Sequence, residues 1–114
     1  MKRGDIILIT IPFSDLTSTK VRPALVVSPE DPSENDFVVA LITTNIHRQL
    51  RPSDQAIRTA DKDFGGAGLN FDSVFRMAKL FNLDKALAKR RLGKASPGLM
   101  KKLDKKLKIA IGVQ

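Results

Sequence analysis

Apolar residues fall in short, dense runs along the first two thirds of the chain and take helical spacing near its end. Ile6 to Ile9 is strongly β-prone and Pro12 ends the run or marks an edge, which predicts a first strand over residues 5–13. Ala24 to Val27 is apolar and β-branched, the core of a central strand at 24–28, and Phe37 to Ile42 predicts another buried strand that ends at Thr43-Thr44. Residues 55–59 alternate weakly. Residues 73–78 make the last long strand, with Val74 and Arg76 on one face and Phe75 and Met77 on the other. Between these runs lie polar stretches at 14–21, 29–35 and 45–54, rich in the Asp, Ser, Thr and Pro that favour turns.

The second half carries more punctuation. Phe64-Gly65-Gly66-Ala67-Gly68 reads as a turn-rich connection. It is no phosphate-cradling loop, since no strand-turn-helix context surrounds it and no Lys-Ser/Thr follows. Asn82-Leu83-Asp84 caps a short helical turn that Arg91-Leu92-Gly93 breaks. Ser96-Pro97 is a helix start, with Leu99, Leu103, Leu107, Ala110 and Ile111 on one face and five lysines on the rest. About five short strands and one terminal amphipathic helix predict a mainly β, small antiparallel barrel with the helix laid across it. The 114 residues make a single domain, 1–114, and a second copy would cover the apolar surface so small a barrel leaves over, so a homodimer is expected.

Charge changes this picture at one end. The net +8 comes wholly from residues 84–114, where ten Lys/Arg face only Asp84 and Asp104. Such an end lies along nucleic acid, meets an acidic protein, or is a solvated helix face. The absence of cysteine excludes disulfides, thiolate catalysis and Cys-ligated zinc, and the single His47 argues against histidine metal sites and Ser-His-Asp triads. No cofactor or metal is expected. No apolar run approaches the roughly 20 residues of a membrane span, and the chain is expected to be cytoplasmic.

Candidate chemistry sits where a polar group meets an apolar strand: Arg22, the Thr43-Thr44 pair and Arg76. Pro23 forces the residue before it into extended geometry, which holds Arg22 straight where a loop meets the core. A guanidinium there pairs with a nearby acid or binds a phosphate or carboxylate. Two arginines with a hydroxyl between them suit a phosphodiester, and in a dry groove they would stabilise a pentavalent phosphorane without a metal.

Arg3-Gly4-Asp5, the run from Val21-Arg22-Pro23 to Ser28, Leu41-Ile42-Thr43-Thr44, Ser73-Val74-Phe75-Arg76, the run from Lys79 to Lys85 and Arg91-Leu92-Gly93-Lys94 occur in this order along nearly the whole chain. Together they resemble the MazF/PemK toxins of type II toxin–antitoxin systems. The resemblance implies an SH3-like or CcdB-like barrel, a homodimer, and a metal-independent endoribonuclease. Such an mRNA interferase cuts single-stranded RNA through its own 2′-OH, leaving a 2′,3′-cyclic phosphate and a 5′-hydroxyl, and an antitoxin protein covers its RNA groove. By position, Arg22, Thr43 and Arg76 would be catalytic, and Thr44, Lys79 and Lys20 would contact RNA. Some relatives carry a carboxylate two residues after the strand arginine as general base, and here that position is Ala78. The alternatives are a non-catalytic relative that binds antitoxin or nucleic acid, and a CcdB-like inhibitor of a protein target such as gyrase.

Overall fold

The computed structural model describes residues 1–12 and 19–114. Its strands are β1 (Asp5–Pro12), β2 (Thr19–Val26), β3 (Asp36–Thr43), β4 (Asp54–Ile57), β5 (Ser73–Asp84) and β6 (Ala88–Lys94). Two helices complete it: the single turn α1 (Phe64–Ala67) and the terminal α2 (Pro97–Ile111), with a 3₁₀ turn over Lys85–Leu87 between β5 and β6. All pairings are antiparallel, in the order β4-β5-β3-β2-β1-β6. The mainly β fold with a terminal helix is as the sequence predicts. The barrel, however, is open: β4 and β6 remain edges and do not pair with each other.

Both faces of the sheet are nevertheless buried. Ile6, Leu25, Ile42, Phe75 and Met77 pack on one face against Leu99 and Leu103 of α2. Ile7, Ile9, Ala24, Val26, Phe37 and Val39 are buried on the other, with Leu41 and Phe81 beside them. Successive side chains alternate between faces, so β1 and β2 feed both clusters from one run of apolar residues. Among the described residues no helix contributes to the second cluster. The sheet curls, and that face packs on itself.

The ends are fastened by local chemistry. Ser96 Oγ accepts from the Leu99 N–H at 3.1 Å and so caps α2, while its own hydroxyl donates to Asp63 Oδ1 at 2.6 Å. Such a cap contributes about 1 kcal/mol. Arg3 donates to the Val27 carbonyl at 2.8 Å and pairs with Asp104 of α2, and Asp5 pairs with Arg91 of β6 at 3.2 Å. The charged residues of the chain's start therefore hold the sheet to its helix and edge strand. Gly68 (φ 72°) and Gly93 let α1 touch β6 backbone to backbone, where a Cβ on Gly93 would lie 2.4 Å from the Gly66 carbonyl oxygen. The expected turn at 64–68 is thus a helical turn with a packing role.

Two boundaries differ from the sequence reading. The 3₁₀ turn follows Asp84, whose side chain accepts from the Ala86 N–H at 2.8 Å, as the cap at 82–84 predicts, but the chain then forms β6 through Arg91-Leu92-Gly93. Among the described residues the sheet therefore has six strands. Residue 13 of the predicted first strand and residues 14–18 of the predicted loop at 14–21 lie outside the described residues, while Thr19 to Val21 belong to β2. Among the described residues no helix is long and apolar enough to cross a membrane.

Candidate active site

Arg22 lies within β2, opposite Ile9 of β1, and not at the junction of loop and strand. Pro23 is accommodated because pairing of β2 with β3 begins only at Ala24, so the imino nitrogen falls where β2 has a single neighbour. On the same face as Ala24 and Val26, Arg22 points toward the self-buried cluster. Thr43 closes β3 on the face that carries Phe37, Val39 and Leu41. The two side chains thus meet at the mouth of the curled sheet.

Arg76 reaches the same mouth through an irregularity in β5. Ala40 pairs with Leu80, yet the next residue, Leu41, pairs with Arg76, so Met77, Ala78 and Lys79 are extra residues on β5. Within that excess Met77 is fully buried, Ala78 is exposed, and Lys79 returns beside Arg76. Arg22, Thr43, Arg76 and Lys79 all line one cavity of about 290 Å³, whose apolar part is made by Ile11, Leu41 and Phe81. A larger cavity of about 380 Å³ is lined by Asp31, Glu34 and Asp36, a charge that repels a phosphate.

Electrostatics single out the smaller cavity. Arg22 has no hydrogen-bond or ion-pair partner among the described residues, which removes the reading of a purely structural pair. Arg76 Nε is buried without a hydrogen-bond partner. Burial first, then the neighbouring Arg48, push the Arg76 guanidinium below its ordinary range; Asp54 opposes them and Arg51 adds to them. The Thr43 hydroxyl oxygen accepts from the Asn45 N–H at 3.1 Å, which leaves its proton free to point into the cavity. Two arginines, a lysine and one hydroxyl therefore line one cavity that has no carboxylate among its described lining residues. Such an arrangement can receive an anion, and its planar forks have the geometry to match the oxygens of a phosphodiester.

The other expected contacts divide. Lys79 lies in the cavity. Lys20 is exposed on β2, two residues before Arg22 and so on the same face, opposite Ile11. Thr44 turns away from the cavity and lines two neighbouring ones. Ala78 is exposed, and among the described residues no carboxylate or imidazole lines the cavity. Among the described residues, no group of three His, Cys, Asp or Glu could hold a metal ion.

Sequence reasoning missed Asp54. It faces Arg76 across the β4–β5 ladder with a side chain only 2% exposed, accepts from the Arg51 N–H at 2.9 Å and pairs with Arg48 at 3.4 Å. The polar run at 45–54 contains all three residues, but only the pairing of β4 with β5 places them behind Arg76.

The family model for the PemK-like, MazF-like toxins of type II toxin–antitoxin systems matches residues 2–111. The chain belongs to that family. Solved structures agree in fold. A mycobacterial endoribonuclease in complex with its cognate antitoxin superposes with a TM-score of 0.77 at 22% identity, covering 100% of this chain and 97% of that one. A chain of the MazE–MazF crystal structure (form II) from Deinococcus radiodurans gives 0.77 at 17% identity, with 100% of this chain and 97% of that one covered. The Mycobacterium tuberculosis toxin MazF-mt6 gives 0.75 at 21% identity, with 96% and 98% covered. No curated protein sequence matches the chain significantly.

Proposed function

We propose that this family member is a metal-independent endoribonuclease toxin that cuts single-stranded RNA, including mRNA, in the cytoplasm. One observation carries the reading: Arg22, which has no partner among the described residues, and Arg76, whose Nε has no hydrogen-bond partner, share a cavity with the Thr43 hydroxyl. A phosphodiester seated there would have its non-bridging oxygens held by the two forks. Attack by the adjacent 2′-OH forms a 2′-O–P bond through a phosphorane whose extra charge Arg22, Arg76 and the Thr43 O–H stabilise. The P–O5′ bond then breaks, giving a 2′,3′-cyclic phosphate and a 5′-hydroxyl. The 2′-OH proton leaves to solvent, and Arg76 or solvent returns one to the 5′-oxygen. Lys79 adds a third positive charge, and Thr44 and Lys20 extend the RNA contacts.

The structural neighbours crystallised with antitoxins support a cognate antitoxin as partner, and it would cover this mouth. The protomer is expected to pair as a homodimer. Ala78 favours a second reading, in which the cavity binds RNA without cutting it. One assay separates the two: purified protein, single-stranded RNA and EDTA, followed by mapping of the product ends. Cleavage that survives the chelator supports the ribonuclease, while RNA that binds and stays whole supports the second reading.

A further inference from the structure

Phe71 is 66% exposed, more than any other large apolar side chain among the described residues. Its backbone is tied by hydrogen bonds on the C-terminal side of the ring. Ser73 Oγ donates to the Phe71 carbonyl at 2.7 Å, and Asp72 accepts from the Thr59 N–H at 2.7 Å and pairs with Arg58 at 3.6 Å. Just upstream, Gly68 packs closely against the Leu92 backbone of β6. An aromatic side chain is thus exposed on a stretch of chain tied by hydrogen bonds, an arrangement that hydrophobic burial does not explain.

Two cavities, of about 600 and 480 Å³, meet at this residue, and both are lined by Thr44, Asn70 and Phe71. The first adds the imidazole of His47 and the second the guanidinium of Arg90. Thr44 directly follows Thr43 and Pro23 directly follows Arg22, so residues lining the second cavity are immediate chain neighbours of residues lining the proposed phosphate site. Every nucleobase offers a π-face, an aromatic ring stacks on it, and an amide or imidazole can bond its edge. A cation at the far side suits the next phosphate.

We propose that Phe71 is the stacking platform for a nucleobase flanking the scissile phosphate, with Asn70 and His47 facing the edge of that base. This rests on the ribonuclease reading of the neighbouring cavity. Pinning the backbone beforehand reduces the ordering cost of binding, so the platform would set both affinity and base preference.

The test pairs a protein change with an RNA change. Phe71→Ala should raise KM for a single-site RNA about tenfold to a hundredfold, the range that loss of one base–aromatic stack produces, while Phe71→Trp should restore it. An abasic residue at one flanking position should weaken the parent protein equally and leave Phe71→Ala unaffected. An oligonucleotide methylated at every 2′-oxygen, with 2-aminopurine at successive positions, should be quenched at that one position by the parent and not by Phe71→Ala. If RNA is cut and Phe71→Ala changes neither KM nor quenching, the platform is overturned while the ribonuclease stands. If nothing is cut but the position-specific quenching depends on Phe71, the platform stands and the ribonuclease falls. Normal RNA handling with weakened antitoxin binding would give the ring to the protein partner and overturn the proposal.

Discussion

Asp54→Asn tests how the cationic side of the site is held together. The carboxylate is almost fully buried and is surrounded by the Arg51 N–H at 2.9 Å, Arg48 at 3.4 Å and Arg76 across the strand ladder. Asparagine keeps the shape and can still accept from the Arg51 N–H, so the change removes charge and little else. A hydrogen bond to a charged group is worth about 1.5–3 kcal/mol, and Arg48 is 22% exposed, which places the pair toward the lower half of that range. Uncompensated repulsion among Arg48, Arg51 and Arg76 adds to the loss, for a total of about 2 kcal/mol. For a chain of this size that lowers Tm by roughly 6–12 °C. Urea unfolding should show a lower midpoint at unchanged slope, and moderate salt or an added phosphate should recover part of the loss by screening the arginines. A Tm within about 2 °C of the parent, insensitive to anions, would refute the view that Asp54 offsets this cluster.

Arg22→Ala should lower kcat by roughly a hundredfold to a thousandfold, as loss of an oxyanion-type donor does, while thermal unfolding stays within about 0.5 kcal/mol because Arg22 has no partner to lose. A folded variant that cuts at the parental rate would remove Arg22 from the site. Thr43→Val deletes one hydroxyl at nearly constant volume, and its effect on kcat should be the milder of the two; parental activity would make Thr43 a filler of β3. Gly93→Ala should destabilise by several kcal/mol, since its Cβ would overlap backbone atoms of Gly66 and Ala67, and a normal denaturation midpoint would show that α1 and β6 separate freely.

The elements with strong apolar periodicity were legible in the sequence. β1, β3 and the first half of β5 follow runs of Ile, Val and Phe, and α2 begins at the Ser96 cap. β6 was hidden because Ala88–Lys94 is an edge strand of mostly charged and half-exposed residues, with only Leu92 to mark it. The extent of β2 was obscured by Pro23, which looks like a strand opening until the one-sided pairing of Arg22 and Pro23 with β1 is known. Arg22, Thr43 and Arg76 could be picked out singly. Their convergence depends on the curl of the sheet and on the three extra residues of β5, which no local pattern announces. Asp54 and Phe71 lay in polar or turn-rich stretches, and their settings come from register and from hydrogen bonds between segments.

The proposed chemistry makes RNA its own nucleophile, so the decisive measurement changes one atom of the substrate. An RNA with a single 2′-deoxy residue immediately 5′ of the scissile phosphate keeps every phosphate and base that Arg22, Arg76 and Lys79 would hold. It should bind the protein with nearly the parental Kd and resist cutting, while mass spectrometry of the all-ribo substrate finds a 2′,3′-cyclic phosphate at the new end. Cutting of the singly deoxy RNA at the normal rate would mean that water attacks the phosphorus, and would contradict the account.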